Sequence, residues 1–296
     1  MENNNNVKEI KALINLIDDP DGNVFEEIKK KIYNYGEEIL PYLETAWENT
    51  LEPVTQRRIE DIVHNIQFEN VKAELKLWVE QDEKDLLTGW LIITRYHFPE
   101  LKEENIKLEL NRIKKDIWLE LNDDLTALER IKVFNHVFYD VCGFTGSTED
   151  YHKPQNYLIN SVLESKKGNS LSLGASYMLI AQSLDLPVYG INFPEHFILA
   201  YTSGQNSFFV FSEKDKYDDG VLFYINAFSK GSAISRQEAE WFLKQLNLEA
   251  DPKYFSFCSK LDIITRILNS LISAYERNNE FQKAKEAKKL FNVIVG

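Results

Sequence analysis

Apolar positions in the first eighty residues recur at helical spacing. Ile10, Leu13, Ile14 and Ile17 form one stripe, and Phe25, Ile28, Ile32 and Tyr35 form the next. Between them Asp18-Asp19-Pro20-Asp21-Gly22-Asn23 carries turn chemistry, and Gly36 and Pro41 punctuate the chain after the second stripe. Ile59, Ile62, Val63 and Ile66, then Val71, Leu75 and Trp78, continue the pattern. Short, closely spaced helices in the style of HEAT-like hairpins are expected here, without a firm period. Helical spacing persists through residues 85–96, 105–121 and 125–141, and the charges on the second of these read as a solvated face.

Beyond a loop at Gly143-Phe144-Thr145-Gly146, a short helix over 158–163 precedes Lys166-Lys167-Gly168. The next helix buries Leu173, Tyr177, Ala181 and Leu184, and Pro187 marks its end. There the period changes. Residues 188–191, 197–201, 207–211 and 221–225 are short β-branched or aromatic runs, parted by Ser203-Gly204-Gln205-Asn206 and Asp218-Asp219-Gly220, which predicts an antiparallel meander. Residues 237–246, 260–277 and 280–291 return to helix, the longest with Ile264, Ile267, Leu268, Leu271 and Tyr275 on its apolar side. The expected fold is α+β: helices around one antiparallel sheet.

Composition narrows the function classes. A chain of 296 residues with 44% hydrophobic content can fill the core of one or two globular units. Lys+Arg 34 against Asp+Glu 47 leaves a net charge of −13, which argues against nucleic acid or anionic lipid as partner. Apolar runs fall short of the roughly 20 residues that cross a bilayer, so no membrane span is expected. The start Met-Glu-Asn-Asn-Asn-Asn-Val-Lys-Glu has neither a basic region nor an apolar stretch of the secretory kind. Cys142 and Cys258 stand in different segments and make neither a disulfide framework nor a thiolate zinc site, so a reducing cytoplasm is the expected location and both thiols are expected to be inert. His136 and Asp140, with Glu149, Asp150 and His152 downstream, match no ligand motif; neither a metal nor another cofactor is expected.

A helix opening at Ser170, a strand with His196 and a later strand ending at Asn226 follow the order used by papain-like and transglutaminase-like enzymes. In such sites a nucleophile sits at a helix N-terminus, and a histidine and an orienting Asp or Asn come from neighbouring strands. Asn156-Tyr157-Leu158, Lys167-Gly168-Asn169-Ser170-Leu171-Ser172-Leu173, Leu184-Asp185-Leu186-Pro187-Val188, Gly190-Ile191-Asn192-Phe193-Pro194-Glu195-His196-Phe197 and Asn226-Ala227-Phe228-Ser229-Lys230-Gly231 resemble the SirB-type transglutaminase-like core family. The later 262–271 run and the 280–290 helix resemble the tetratricopeptide-like tail that often follows that core. The resemblance implies three regions: a helical HEAT-like part over 1–124, a transglutaminase-like (papain-like) core over 125–235, and the helical tail over 236–296.

It also implies triad-equivalent positions. Cysteine would stand where this chain has Ser170, His196 falls on the catalytic histidine, and Asn226 falls where an aspartate usually lies. The family's Pro-Gly-His-Phe reads Pro-Glu-His-Phe, with Glu195 in place of glycine, and proline is common at the Ser170 position in SirB-type proteins. Read on their own, these residues keep bland alternatives. Ser170 is a helix cap or a nucleophile, and Asn169 is an alternative cap beside the pocket; Gly168-Asn169-Ser170-Leu171-Ser172 lacks the second glycine of a serine elbow. His196 faces the helix terminus or solvent, Glu195 the pocket mouth or water, and Asn226 holds an imidazole or a strand-end turn. The expected function is a non-catalytic binding or scaffolding protein for a protein or peptide partner. The alternatives are a serine-dependent amidase or acyltransferase using Ser170, His196 and Asn226, and a helical-repeat adaptor.

Overall fold

The computed structural model describes residues 2–203 and 220–296. The run at 207–211 expected to be a strand lies outside them, as do most of the two turns flanking it. The chain divides into two compact units, Met1–Leu77 and Trp78–Gly296.

In the first unit, helices α1 (Glu2–Ile14), α2 (Gly22–Tyr33), α3 (Leu40–Asn49) and most of α4 (Pro53–Glu80) share a core of Ile10, Leu13, Ile17, Ile28, Ile32, Ile39, Leu43, Ile59, Ile62 and Ile66. Asp21 caps α2 by accepting from the Asn23 N–H, as its turn composition suggests. Arg58 on α4 donates to the carbonyls of Ile17 (2.6 Å) and Asp19 (2.8 Å), with its guanidinium 4.2 Å from the Phe25 ring centre. The pattern read as separate short helices over 59–78 is one helix of 28 residues, because Gln67-Phe68-Glu69-Asn70 contains no breaker and the stripe carries straight on.

The second unit is α+β. Its helices α5 (Leu86–His97), α6 (Glu103–Glu120), α7 (Ala127–Asn135) and α8 (Ile159–Ser165) lead to α9 (Ser170–Ser183). Gly89 lets α5 lie against the indole of Trp78, where a Cβ would come within 2.6 Å of the ring. The expected helix over 125–141 is α7 followed by a π-helical turn, His136–Val141. Before α9 a two-residue parallel pair, β1 (Thr145–Gly146) and β2 (Lys167–Gly168), fixes the approach to its N-terminus. Strands β3 (Val188–Ile191), β4 (Ile198–Thr202), β5 (Val221–Asn226) and β6 (Ser232–Ile234) form an antiparallel sheet in that order. Helices α10 (Arg236–Gln245), α11 (Lys260–Arg277) and α12 (Phe281–Val295) complete the unit.

Helix α9 is the centre of this unit. It is apolar around its circumference and buried from Ser170 to Met178, which is the signature of a helix enclosed on all sides. Strand β4 is covered on both faces, so it reads as a continuous apolar run rather than an alternating one. One face of the sheet packs Ile191, Ile198, Ala200 and Tyr224 against Ala239 and Leu243 of α10 and against Phe255. On the α9 side the Phe197 ring is seated between two glycines: a Cβ on Gly174 of α9 or Gly190 of β3 would each come within 2.5 Å of it. That close approach brings the β3–β4 turn to the start of α9.

Candidate functional site

The N-terminus of α9 is capped by Asn169, whose Oδ1 accepts from the Leu171 N–H (3.1 Å) and the Ser172 N–H (3.0 Å), while the Ser172 hydroxyl accepts from the Asn169 N–H. Of the two caps considered from the sequence, Asn169 takes the role. Ser170 is thereby left as the first helical residue with its hydroxyl free of capping duty. Buried to 3% exposure, that hydroxyl shares a 2.7 Å hydrogen bond with the Tyr151 phenol and accepts from the Phe197 N–H at 3.4 Å. Asn169 is buried to 1% exposure, and its Nδ2 makes no hydrogen bond.

His196 follows Glu195 in the turn between β3 and β4 and is exposed, with its N–H donating to Pro194 O at 2.7 Å. Glu195 has φ +61°, a left-handed conformation that costs an L-residue about 1–2 kcal/mol relative to glycine. Glycine would take that conformation without the cost. Asn226 ends β5, and its Oδ1 accepts from the Phe228 N–H (3.1 Å) and the Ser229 N–H (3.2 Å), closing its own turn.

Asn169, Ser170 and Glu195 therefore meet in one cleft of about 260 Å³, whereas His196 and Asn226 are not among its lining residues. The other walls come from Tyr151, His152, Tyr157 and Leu171 and from one face of α11: Arg266, Asn269, Ser270, Ser273 and Arg277. Those five recur at the three-to-four-residue interval that stacks side chains along one helix face. Arg266 Nη2 donates to Phe193 O at 3.0 Å, and the guanidinium lies 5.7 Å from the Phe197 ring centre. Burial lowers the Arg266 pKa, a tendency opposed by nearby groups that include Glu195. Burial and the charge of Arg277 both lower the His152 pKa, which keeps that imidazole neutral at neutral pH.

The residues that sequence reasoning misses are Tyr151, Arg266 and Arg277. Tyr151 stands in a polar loop with no periodicity to mark it. A signal for Arg266 is present, since it is a cation set between Ile263-Ile264 and Ile267-Leu268. The cysteines lie elsewhere: burial pushes the Cys258 thiol up to about 12 and raises that of Cys142, whose neighbour Arg112 offsets the effect in part. Among the described residues no three His, Cys, Asp or Glu side chains gather as a metal-binding group, and no helix is long and apolar enough to cross a membrane.

A sequence profile of the transglutaminase-like superfamily matches residues 104–269, more than half of the chain. The chain belongs to the transglutaminase-like superfamily. The matched span runs from α6 through the sheet to Asn269 of α11, and so includes Tyr151, Ser170 and Arg266. A UPF0162 protein of Vibrio cholerae is 32% identical over 207 residues, covering 69% of this chain and 71% of that protein. Another UPF0162 protein, from Xylella fastidiosa, is 23% identical over 221 residues, covering 71% and 73%. F-box only protein 21 of Homo sapiens is 27% identical over 147 residues, half of this chain and 22% of that protein. No solved structure matches significantly. The transglutaminase-like assignment agrees with the α9-to-sheet arrangement described above.

Proposed function

We propose that this transglutaminase-like chain is a non-catalytic binding protein of the SirB type, with a helical tetratricopeptide-like tail over 236–296 following the core at 125–235, and that it engages a protein or peptide through the cleft at the start of α9. One observation carries the reading: the Ser170 hydroxyl pairs with the Tyr151 phenol and not with an imidazole. A phenol is a poor base at neutral pH, and among the described residues no imidazole is hydrogen-bonded to Ser170 to take its proton. Two further features support it. His196 is exposed outside the cleft, and Asn226 spends its side-chain acceptor on its own turn. The triad-equivalent positions Ser170, His196 and Asn226 thus act as parts of a frame. The test is incubation with activated esters and amides followed by intact-mass analysis and peptide mapping. No adduct is expected, and an acyl group on Ser170 would overturn the proposal in favour of a serine-dependent acyl transfer.

A further inference from the structure

Two arginines line the Ser170 cleft, and neither forms a salt bridge among the described residues. Arg266 is partly buried and spends one N–H on the Phe193 carbonyl; Arg277, at the last turn of α11, is exposed. Among the described residues no carboxylate lies within salt-bridge distance of either. Two other partly buried arginines differ: Arg95 is bound by Glu103 and Arg236 by Glu240, while Arg58 and Arg130 give their donors to backbone carbonyls. Taking a cation out of water without a counter-charge costs free energy, so a desolvated, unpaired guanidinium beside a cavity favours an incoming anion.

The other groups of the cleft point the same way. Helix α9 presents its positive end, Tyr151 and Ser270 bring hydroxyls, and the amide nitrogen of buried Asn169 is a donor without a partner. Two guanidiniums against Glu195, with His152 neutral, leave a net charge of about +1, which suits a monoanion. A phosphomonoester, with about −1.5 to −2 charges, fits less well, and the chain's own −13 opposes a polyanion. A second cavity of about 450 Å³ shares Arg266 and Asn269 in its lining, with Pro194, Lys253, Tyr254 and Asp262 among its other walls, so there is open space beside the anion.

We infer that the cleft at the start of α9 binds a peptide carboxylate, either a chain terminus or an acidic side chain, held by Arg266 and Arg277. This rests on the non-catalytic reading of Ser170 and names the chemistry of what the site holds.

The experiment titrates the uniformly ¹⁵N-labelled full chain with N-acetyl-trialanine, its C-terminal amide, N-acetyl-Ala-Glu-Ala amide and inorganic phosphate. Shifts of the Ser170, Leu171 and Glu195 amides report binding. The expected result is saturable binding of one or both carboxylate probes and none of the neutral amide, with Kd raised about tenfold or more by Arg277→Gln, as for loss of a charge-assisted hydrogen bond. Binding of the trialanine acid assigns a chain terminus, and binding of the internal glutamate assigns a side chain. Arg277 is exposed, so its variant keeps the fold; Arg266→Gln is read beside it. Equal binding of acid and neutral amide overturns the inference, as do no binding of either acid, a Kd unchanged in both variants, or preference for phosphate. An acyl adduct on Ser170 would sink the non-catalytic reading separately, whatever the carboxylate titration returns.

Discussion

Arg58 and Arg266 are both partly buried guanidiniums near an aromatic ring, each in its own unit, and they differ in what their donors are spent on. Arg58 closes the carbonyls of Ile17 and Asp19 in the turn that follows α1, and stacks on Phe25. Among the described residues Arg266 makes one hydrogen bond and has no carboxylate within salt-bridge distance, and it lines a cavity. The first arginine completes a fold; the second is desolvated by the fold and left with capacity. Burial alone does not separate these two arginines, and the count of unspent donors does.

The comparison can be broken at several points. The largest effect is expected from Phe197→Ala, which empties the seat between Gly174 and Gly190: a loss of about 3–5 kcal/mol in urea unfolding, together with shifts at the Ser170 amide. A smaller loss would mean that the two glycines do not set the approach of sheet and helix. Next, Arg58→Gln should cost about 2–3 kcal/mol, read as faster hydrogen exchange across 17–25, and leave carboxylate binding unchanged.

A third arginine provides a pH test. Hydrogen bonds from Arg112, and then Lys166, hold the Glu109 carboxyl at about 2, below its ordinary 4.5. A depressed folded-state pKa contributes stability that is fully present above about 4.5 and is lost as pH falls towards about 2. The thermal midpoint should therefore drop less steeply through that window in Glu109→Gln than in the parent chain; an identical slope would show that this arginine pair contributes nothing. The smallest change is expected from Arg266→Gln, within about 1 kcal/mol, because losing the bond to Phe193 is offset by removing an unpaired desolvated charge. A destabilisation matching that of Arg58→Gln would erase the distinction.

Much of the fold is legible in the residues. Strand β3 and helix α11 have the bounds expected from their patterns, and α9 begins at the expected Ser170 because Asn169 and Ser172 supply local capping chemistry. Elements without such marks escape notice. Strand β6 has only three residues, with Ser232 and Ala233 exposed, and the β1–β2 pair has two residues per strand, too short for any period. The continuous α4 reads as shorter pieces because spacing between apolar residues does not distinguish a gap in a stripe from an end of a helix.

By itself the sequence determined most of the helices, the order of α9, β3, β4 and β5, and the presence of serine at the start of α9. Those properties depend on periodicity, caps and residue identity within a few positions. Tertiary structure alone decided that Tyr151, and not His196, meets Ser170, and that Arg266 and Arg277 arrive from a helix about a hundred residues later. The physical reason is packing. The Phe197 seat and the α9–α11 contact fix where loops and helix faces point, and no local pattern encodes the direction of a side chain set by distant neighbours.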